Sequence, residues 1–121
     1  IAGAGGLFRL PRAIGRAAAM EAILTGEPFT AQRAYELGMV NKLVDPNTVV
    51  EAAIDLAQRV CKAAPLAVWA SRKVVLASET ESDQTLIDMT NKEFGAVLAS
   101  EDTKEGLTAF IEKRQPNWQG K

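Results

Sequence analysis

The 121-residue sequence predicts a mainly α-helical chain with at most one short strand. Three observations carry this expectation. Apolar residues recur at three-to-four-residue spacing through most of the chain, the segments between them begin and end on helix-capping residues, and one brief stretch alone has strand character.

The segments follow in order. Leu7 to Ile14 is short and basic, is interrupted by Pro11 and meets Gly15, so it reads as one helix or two short ones. Ala17 to Leu24 is a run of good helix formers whose Met20, Ile23 and Leu24 make an apolar stripe ending at Thr25-Gly26, which reads as a buried helix. Thr30 is an N-cap for Ala31 to Leu37, and Gly38 supplies a left-handed C-terminal cap. Met39, Val40, Leu43 and Val44 then form a lone edge strand or an extended connector, bounded by Gly38 and Asp45-Pro46.

Pro46 suits the first turn of a helix in which Val50, Ala53, Ile54, Ala57, Val60 and Cys61 share a face. Ala63-Ala64-Pro65 breaks that helix, and Pro65 opens another carrying Leu66, Ala70, Val74 and Ala77. Beyond the polar stretch from Ser78 to Asp83, Ile87, Phe94, Val97 and Leu98 predict a long helix. Ser100 caps the last one, with Glu101 and Asp102 at the positive end of its dipole and Lys113-Arg114 near the negative end. These apolar faces exceed what one small bundle buries, so packing onto another domain or subunit is expected.

Composition narrows the function. With 47% hydrophobic and 24% charged residues the chain reads as soluble and globular. Fourteen basic against fifteen acidic residues leave a net charge of -1, with no overall field to draw a nucleic acid or an anionic membrane. Cys61 is the only cysteine and there is no histidine, which argues for a reducing compartment, the cytoplasm by default, and against metal or catalytic-triad chemistry. No apolar run approaches the roughly 20 residues of a membrane span. The chain opens on Ile1 in a glycine-rich stretch, as expected if sequence is missing upstream and equally if the product is processed.

Individual motifs have modest readings. Gly3-Ala4-Gly5-Gly6 invites a phosphate-loop interpretation, but it lacks the Gly-Lys-Ser/Thr ending and has Phe8 where a dinucleotide fingerprint needs its third glycine, so a tight turn is favoured. Arg9, Arg12 and Arg16 lie on one helical face only if Pro11 and Gly15 permit it, and a solvated basic face outweighs a phosphate site. Cys61 sits on an apolar stripe and reads as core. Trp69 and Trp118, without interleaved basic residues, read as packing or interface residues. Phe110 and Lys113 share the side of a helix near its end, where a core ring with a snorkelling lysine is the common arrangement.

In order, however, the motifs resemble the C-terminal half of the crotonase (enoyl-CoA hydratase/isomerase) superfamily over essentially the whole chain. The matching stretches are Ile1 to Gly6 with Arg9-Leu10, Ala19-Met20-Glu21 leading to Leu24-Thr25-Gly26, Ala31 to Ala34 leading to Gly38-Met39-Val40-Asn41, and Glu101-Asp102 with Glu105-Gly106 and Ala109 to Arg114. The resemblance implies that residues 1–14 end a spiral core with a glycine-rich active-site loop, and that residues 15–121 form a helical oligomerisation region of trimers or dimers of trimers. It also implies an acyl-CoA thioester as substrate, with no cofactor, metal, nucleic acid or membrane partner. The reaction it implies is hydration of a 2-enoyl-CoA in fatty-acid metabolism.

The family's two catalytic glutamates and oxyanion amides are expected before Ile1, so no Glu of this chain takes their place. What the resemblance carries over is the backbone N–H of Gly3, which helps hold the catalytic water, with Gly5 and Gly6 shaping the loop beside the acyl pocket. Ala2 stands where many hydratases have proline. Phe110 and Lys113 match positions that reach a neighbouring subunit's CoA, the ring near the adenine and the ammonium near the phosphates, which reverses the core reading of that pair. The alternative is that the 121 residues by themselves form a non-catalytic helical assembly module.

Overall fold

The computed structural model describes residues 1–121 as seven α-helices and one 3-10 turn, with no strand. Their order is α1 (Gly6–Ile14), α2 (Arg16–Thr25), α3 (Ala31–Glu36), the 3-10 turn Pro46–Thr48, α4 (Val49–Cys61), α5 (Pro65–Ala77), α6 (Asp83–Leu98) and α7 (Glu101–Glu112). The chain divides into two compact units, Ile1–Val50 and Glu51–Lys121, with the boundary in the first turn of α4. No helix is long and apolar enough to cross a membrane.

The punctuation expected from the sequence is in place. The hydroxyls of Thr30 and Ser100 accept hydrogen bonds from the amides of Arg33 (3.1 Å) and Thr103 (3.1 Å), and Ser82, a cap not singled out in the sequence, accepts from that of Thr85 (3.3 Å). Each such cap is worth about 1 kcal/mol. Gly38, at φ 75°, closes α3 while the Met39 amide donates to the Ala34 carbonyl (2.9 Å). Pro65 occupies the first turn of α5, where its missing N–H costs nothing.

In the first unit α1 packs against α2. Pro11 stands inside α1 yet does not end it, so Leu7 to Ile14 is one helix, and the break falls at Gly15 (φ 82°, ψ 154°). The Met39 to Val44 segment makes bends and irregular backbone, so of its two expected forms the connector is the one adopted. In the second unit α5 packs against α6, and α6 more lightly against α7. Lys73 of α5 pairs with Glu93 of α6.

Two expectations of burial are corrected. Within α2 only Ala19 is buried, while Met20 and Leu24 of the predicted stripe are exposed, so this is not a buried helix in the chain alone. Cys61, assigned to the core, is exposed, together with Val50, Ile54 and Val60 of the same stripe. Periodicity fixes which face of a helix is apolar but not what covers it: α2 packs against α1 and still leaves Met20 and Leu24 exposed, and α4 belongs to none of the well-packed helix pairs. The total accessible surface is 9512 Å². Two separately compact bodies of these sizes would expose about 7,600 Å² between them. Among the exposed groups are large apolar side chains on the helices, such as Leu24, Val50, Phe94 and Ile111.

Candidate functional site

Two places bring chemistry-bearing groups together, one in each unit. The first is the glycine loop ahead of α1. The Gly6 amide donates to the Gly3 carbonyl (2.9 Å) across Ala4 (φ 52°) and Gly5 (φ 86°), a tight turn with both central residues in the left-handed region. A Cβ on Gly5 would stand 3.1 Å from the Phe8 ring and 3.2 Å from Arg9 Nε, so this position disfavours other residues both through its positive φ and through these contacts. Gly3 is exposed with open space around its Cα, and its amide makes no hydrogen bond inside the chain. The turn predicted for the loop is thus present.

Arg9 and Arg12 lie 6.0 and 5.4 Å from the centroid of the Phe8 ring, and neither they nor Arg16 pairs with a carboxylate. Arg9 and Arg12 share a face of α1, whereas the break at Gly15 places Arg16 at the start of α2. The three arginines are exposed, as the solvated-face reading expected.

The second place is the end of α7. Phe110 is 83% exposed and is not a core residue of this chain. Lys113 follows the helix in the left-handed region (φ 55°, ψ 38°), donates its amide to the Phe110 carbonyl (3.3 Å) and has no carboxylate partner. The Arg114 amide reaches back to the Ala109 carbonyl (3.0 Å), completing a helix-ending pattern that ordinarily selects glycine at the position Lys113 holds. The pair singled out in the sequence therefore stands on one turn, unpaired and accessible.

Holding that turn is a network the sequence reading missed. Arg114 donates to both oxygens of Glu105 (2.6 and 2.9 Å) and to Glu112 (2.6 Å), so its charge turns back onto α7. Glu105 also accepts the Asn117 amide (2.7 Å). The Arg114 hydrogen bonds, followed by that of Asn117, lower the Glu105 pKa to about 2. The same two carboxylates push the Arg114 pKa upward.

One turn earlier, Asp102 is 2% exposed, and its carboxylate accepts the amides of Gln119 (2.7 Å) and Gly120 (2.9 Å) while its own amide donates to the Lys121 carbonyl (3.1 Å). Asp102, read as a charge for the helix dipole, is thus the buried anchor of the chain's last residues. Trp118 lies over Gly106 and donates its indole N–H to the Lys62 carbonyl (3.0 Å). The signal that was available is the spacing of Asp102, Glu105 and Gly106 at i, i+3 and i+4, one face of α7, with a glycine that no helix terminus explains.

The chain is all-helical, with a glycine loop ahead of its first helix and a last helix strapped by the residues that follow it. The comparisons agree over the whole chain. The family model described as enoyl-CoA hydratase/isomerase matches residues 1–121. The 2,3-dehydroadipyl-CoA hydratase of Escherichia coli K12 is 34% identical over 98% of this chain and 47% of its own length. The mitochondrial enoyl-CoA hydratase of Pongo abelii is 37% identical over 98% of this chain and 41% of its own. The crystal structure of enoyl-CoA hydratase from Mycobacterium tuberculosis H37Rv superimposes with a TM-score of 0.93 at 45% identity, covering all of this chain and 48% of that one. The chain belongs to the enoyl-CoA hydratase/isomerase family, and it spans about half the length of the curated relatives it matches.

Proposed function

We propose that this chain is the C-terminal helical half of an enzyme acting on acyl-CoA thioesters, with addition of water to a 2-enoyl-CoA in fatty-acid metabolism as its reaction. The observation that carries the reading is the turn ending α7, where Phe110 and Lys113 stand three residues apart, both exposed and neither with an ionic partner. A π face and a point charge suit a phosphorylated adenosine. In an assembly of three or six copies this turn faces the CoA of a neighbouring subunit, which couples ligand binding to assembly.

At the other end of the chain, the Gly3 amide has no partner of its own and is a donor for the reacting water, with Gly5 and Gly6 fixing the loop beside the acyl group. Hydroxide adds to the β carbon and a proton to the α carbon, which leaves the oxidation level of the pair unchanged, so the thioester is the substrate and no electron carrier takes part. The two glutamates that activate the water, and the amides that hold the enolate oxygen, are supplied by sequence outside these 121 residues. The cytoplasm is the compartment that accords with a single unpaired cysteine.

The test compares the 121-residue chain with the full-length protein, following loss of the conjugated thioester absorbance of a short 2-enoyl-CoA. Turnover is expected from the full-length protein and none from the 121 residues alone. Activity in the shorter chain would overturn the assignment of the glutamates, and an inactive full-length protein would overturn the reaction.

A second reading, that these residues serve as a non-catalytic assembly module, is favoured by the exposed apolar stripe of α4. It is compatible with the first.

A further inference from the structure

The turn that carries Phe110 and Lys113 is not simply a helix end left to its own preferences. Lys113 occupies a left-handed conformation that favours glycine, and nothing bonds its side chain in place. What holds the backbone there is the residue that follows. Arg114 is fixed on one side by Glu112, through Nε, and on the other by both oxygens of Glu105, and its Nη1 also donates to the Gln115 carbonyl (3.2 Å).

Glu105 and Glu112 are seven residues apart and so lie on one face of α7, and Arg114 bridges them there. Phe110 is five residues beyond Glu105, about 140° around the helix. The bridge therefore closes the turn from the far side and leaves the ring of Phe110 and the ammonium of Lys113 unobstructed. Glu105 also takes the Asn117 amide, so the same carboxylate fixes the chain on both sides of Gln115 and Pro116.

The geometry points to Glu105 as a positioning residue for ligand recognition: through its two-pronged bond to Arg114 it holds the Lys113 backbone in the left-handed turn that presents the Phe110–Lys113 pair to the nucleotide end of a CoA thioester. This inference rests on the ligand-facing reading of Phe110 and Lys113 proposed above. It adds a role for a carboxylate that does not touch the ligand. A two-pronged guanidinium–carboxylate bond fixes orientation as well as distance, which a single ion pair does not.

The experiment measures binding of butyryl-CoA, which lacks the double bond, and of butyryl-pantetheine, which lacks the nucleotide, to the full-length protein and its E105Q, R114K and K113A variants. The amide introduced by E105Q keeps one acceptor but turns an NH2 group toward the guanidinium. The ammonium introduced by R114K keeps the charge but cannot form the fork. The expected result is a loss of about three- to tenfold in butyryl-CoA affinity for E105Q, a smaller loss of the same sign for R114K, and no change for butyryl-pantetheine.

Equal loss for both ligands would show Glu105 to be merely structural and overturn the inference. So would a folded E105Q that binds butyryl-CoA normally while K113A does not. Should E105Q fail to fold, R114K decides by the same contrast. Normal butyryl-CoA binding by K113A would instead overturn the underlying reading of the turn.

Discussion

Trp118 lies so close to Gly106 that a Cβ added to the glycine would stand 3.1 Å from the ring's Cη2. The indole has little freedom to retreat, because its N–H is bonded to the Lys62 carbonyl. Gly106 is thus a glycine of α7 selected by a tertiary contact against its own helix propensity. Ala in its place gains about 1 kcal/mol of propensity and loses more through the displaced ring. G106A is expected to lower the thermal midpoint, and the same substitution in a W118A background is expected to raise it. Equal shifts in the two backgrounds would show that the contact does not set the choice of residue.

The Glu105 clamp has a defined acid limit. Its carboxylate has a lowered pKa in the folded chain, from an ordinary 4.5 to about 2, so the unfolded chain binds the proton first as pH falls. The stabilisation is complete above the ordinary value and is lost as pH drops through the window between the two. In thermal melts at successive pH values, E105Q should therefore resemble the parent near pH 2 and diverge from it, with the parent more stable, as pH rises from about 2 to 4.5, the difference levelling off above that. A constant difference across that range would exclude the clamp as its source.

In the glycine loop, Ala4 and Gly5 share a left-handed backbone but not a steric environment. G5A introduces both the strain of positive φ and a contact with Phe8 and Arg9, and should cost about 2 kcal/mol or more by chemical denaturation. A4G removes strain already present (φ 52°) and should be neutral or stabilising by up to about 1 kcal/mol. A destabilised A4G would mean that the alanine side chain makes a compensating contact.

The uncovered faces of α2 and α4 predict self-association. Light scattering at micromolar concentration is expected to find more than one copy per particle, and a strictly monomeric chain would count against an assembly role. Replacing Ile54 and Val60 with polar residues should shift the distribution toward monomer without loss of helical circular dichroism, since both are already exposed in the single chain.

What the sequence disclosed and withheld divides along the reach of the interactions. Thr30, Gly38, Pro65 and Ser100 act on backbone within a turn of themselves, so their roles were readable from neighbouring residues. The stripe through Val50, Ile54, Val60 and Cys61 is readable as apolar, but what covers it lies outside the residues that define it, and Cys61, expected in the core, is exposed. Asp102 bonds amides 17 and 18 residues away, and Trp118 bonds a carbonyl 56 residues away. Such contacts leave no periodic trace, and the hint at them is local: Asp102, Glu105 and the internal Gly106 on one face of α7. At the candidate site, Phe110 and Lys113 were legible as a pair through resemblance, whereas the Glu105–Arg114 bridge required the geometry.

The two tryptophans differ in a way that gives the molecule a built-in pair of optical reporters. Trp118 is partly covered and tied to the corner between α4 and α5, so its emission should follow the docking of the final residues onto α7. Trp69, 63% exposed on α5, should shift to shorter wavelength only when another surface arrives. With one indole replaced at a time, folding within the chain and the arrival of another surface become separately visible in the same cuvette.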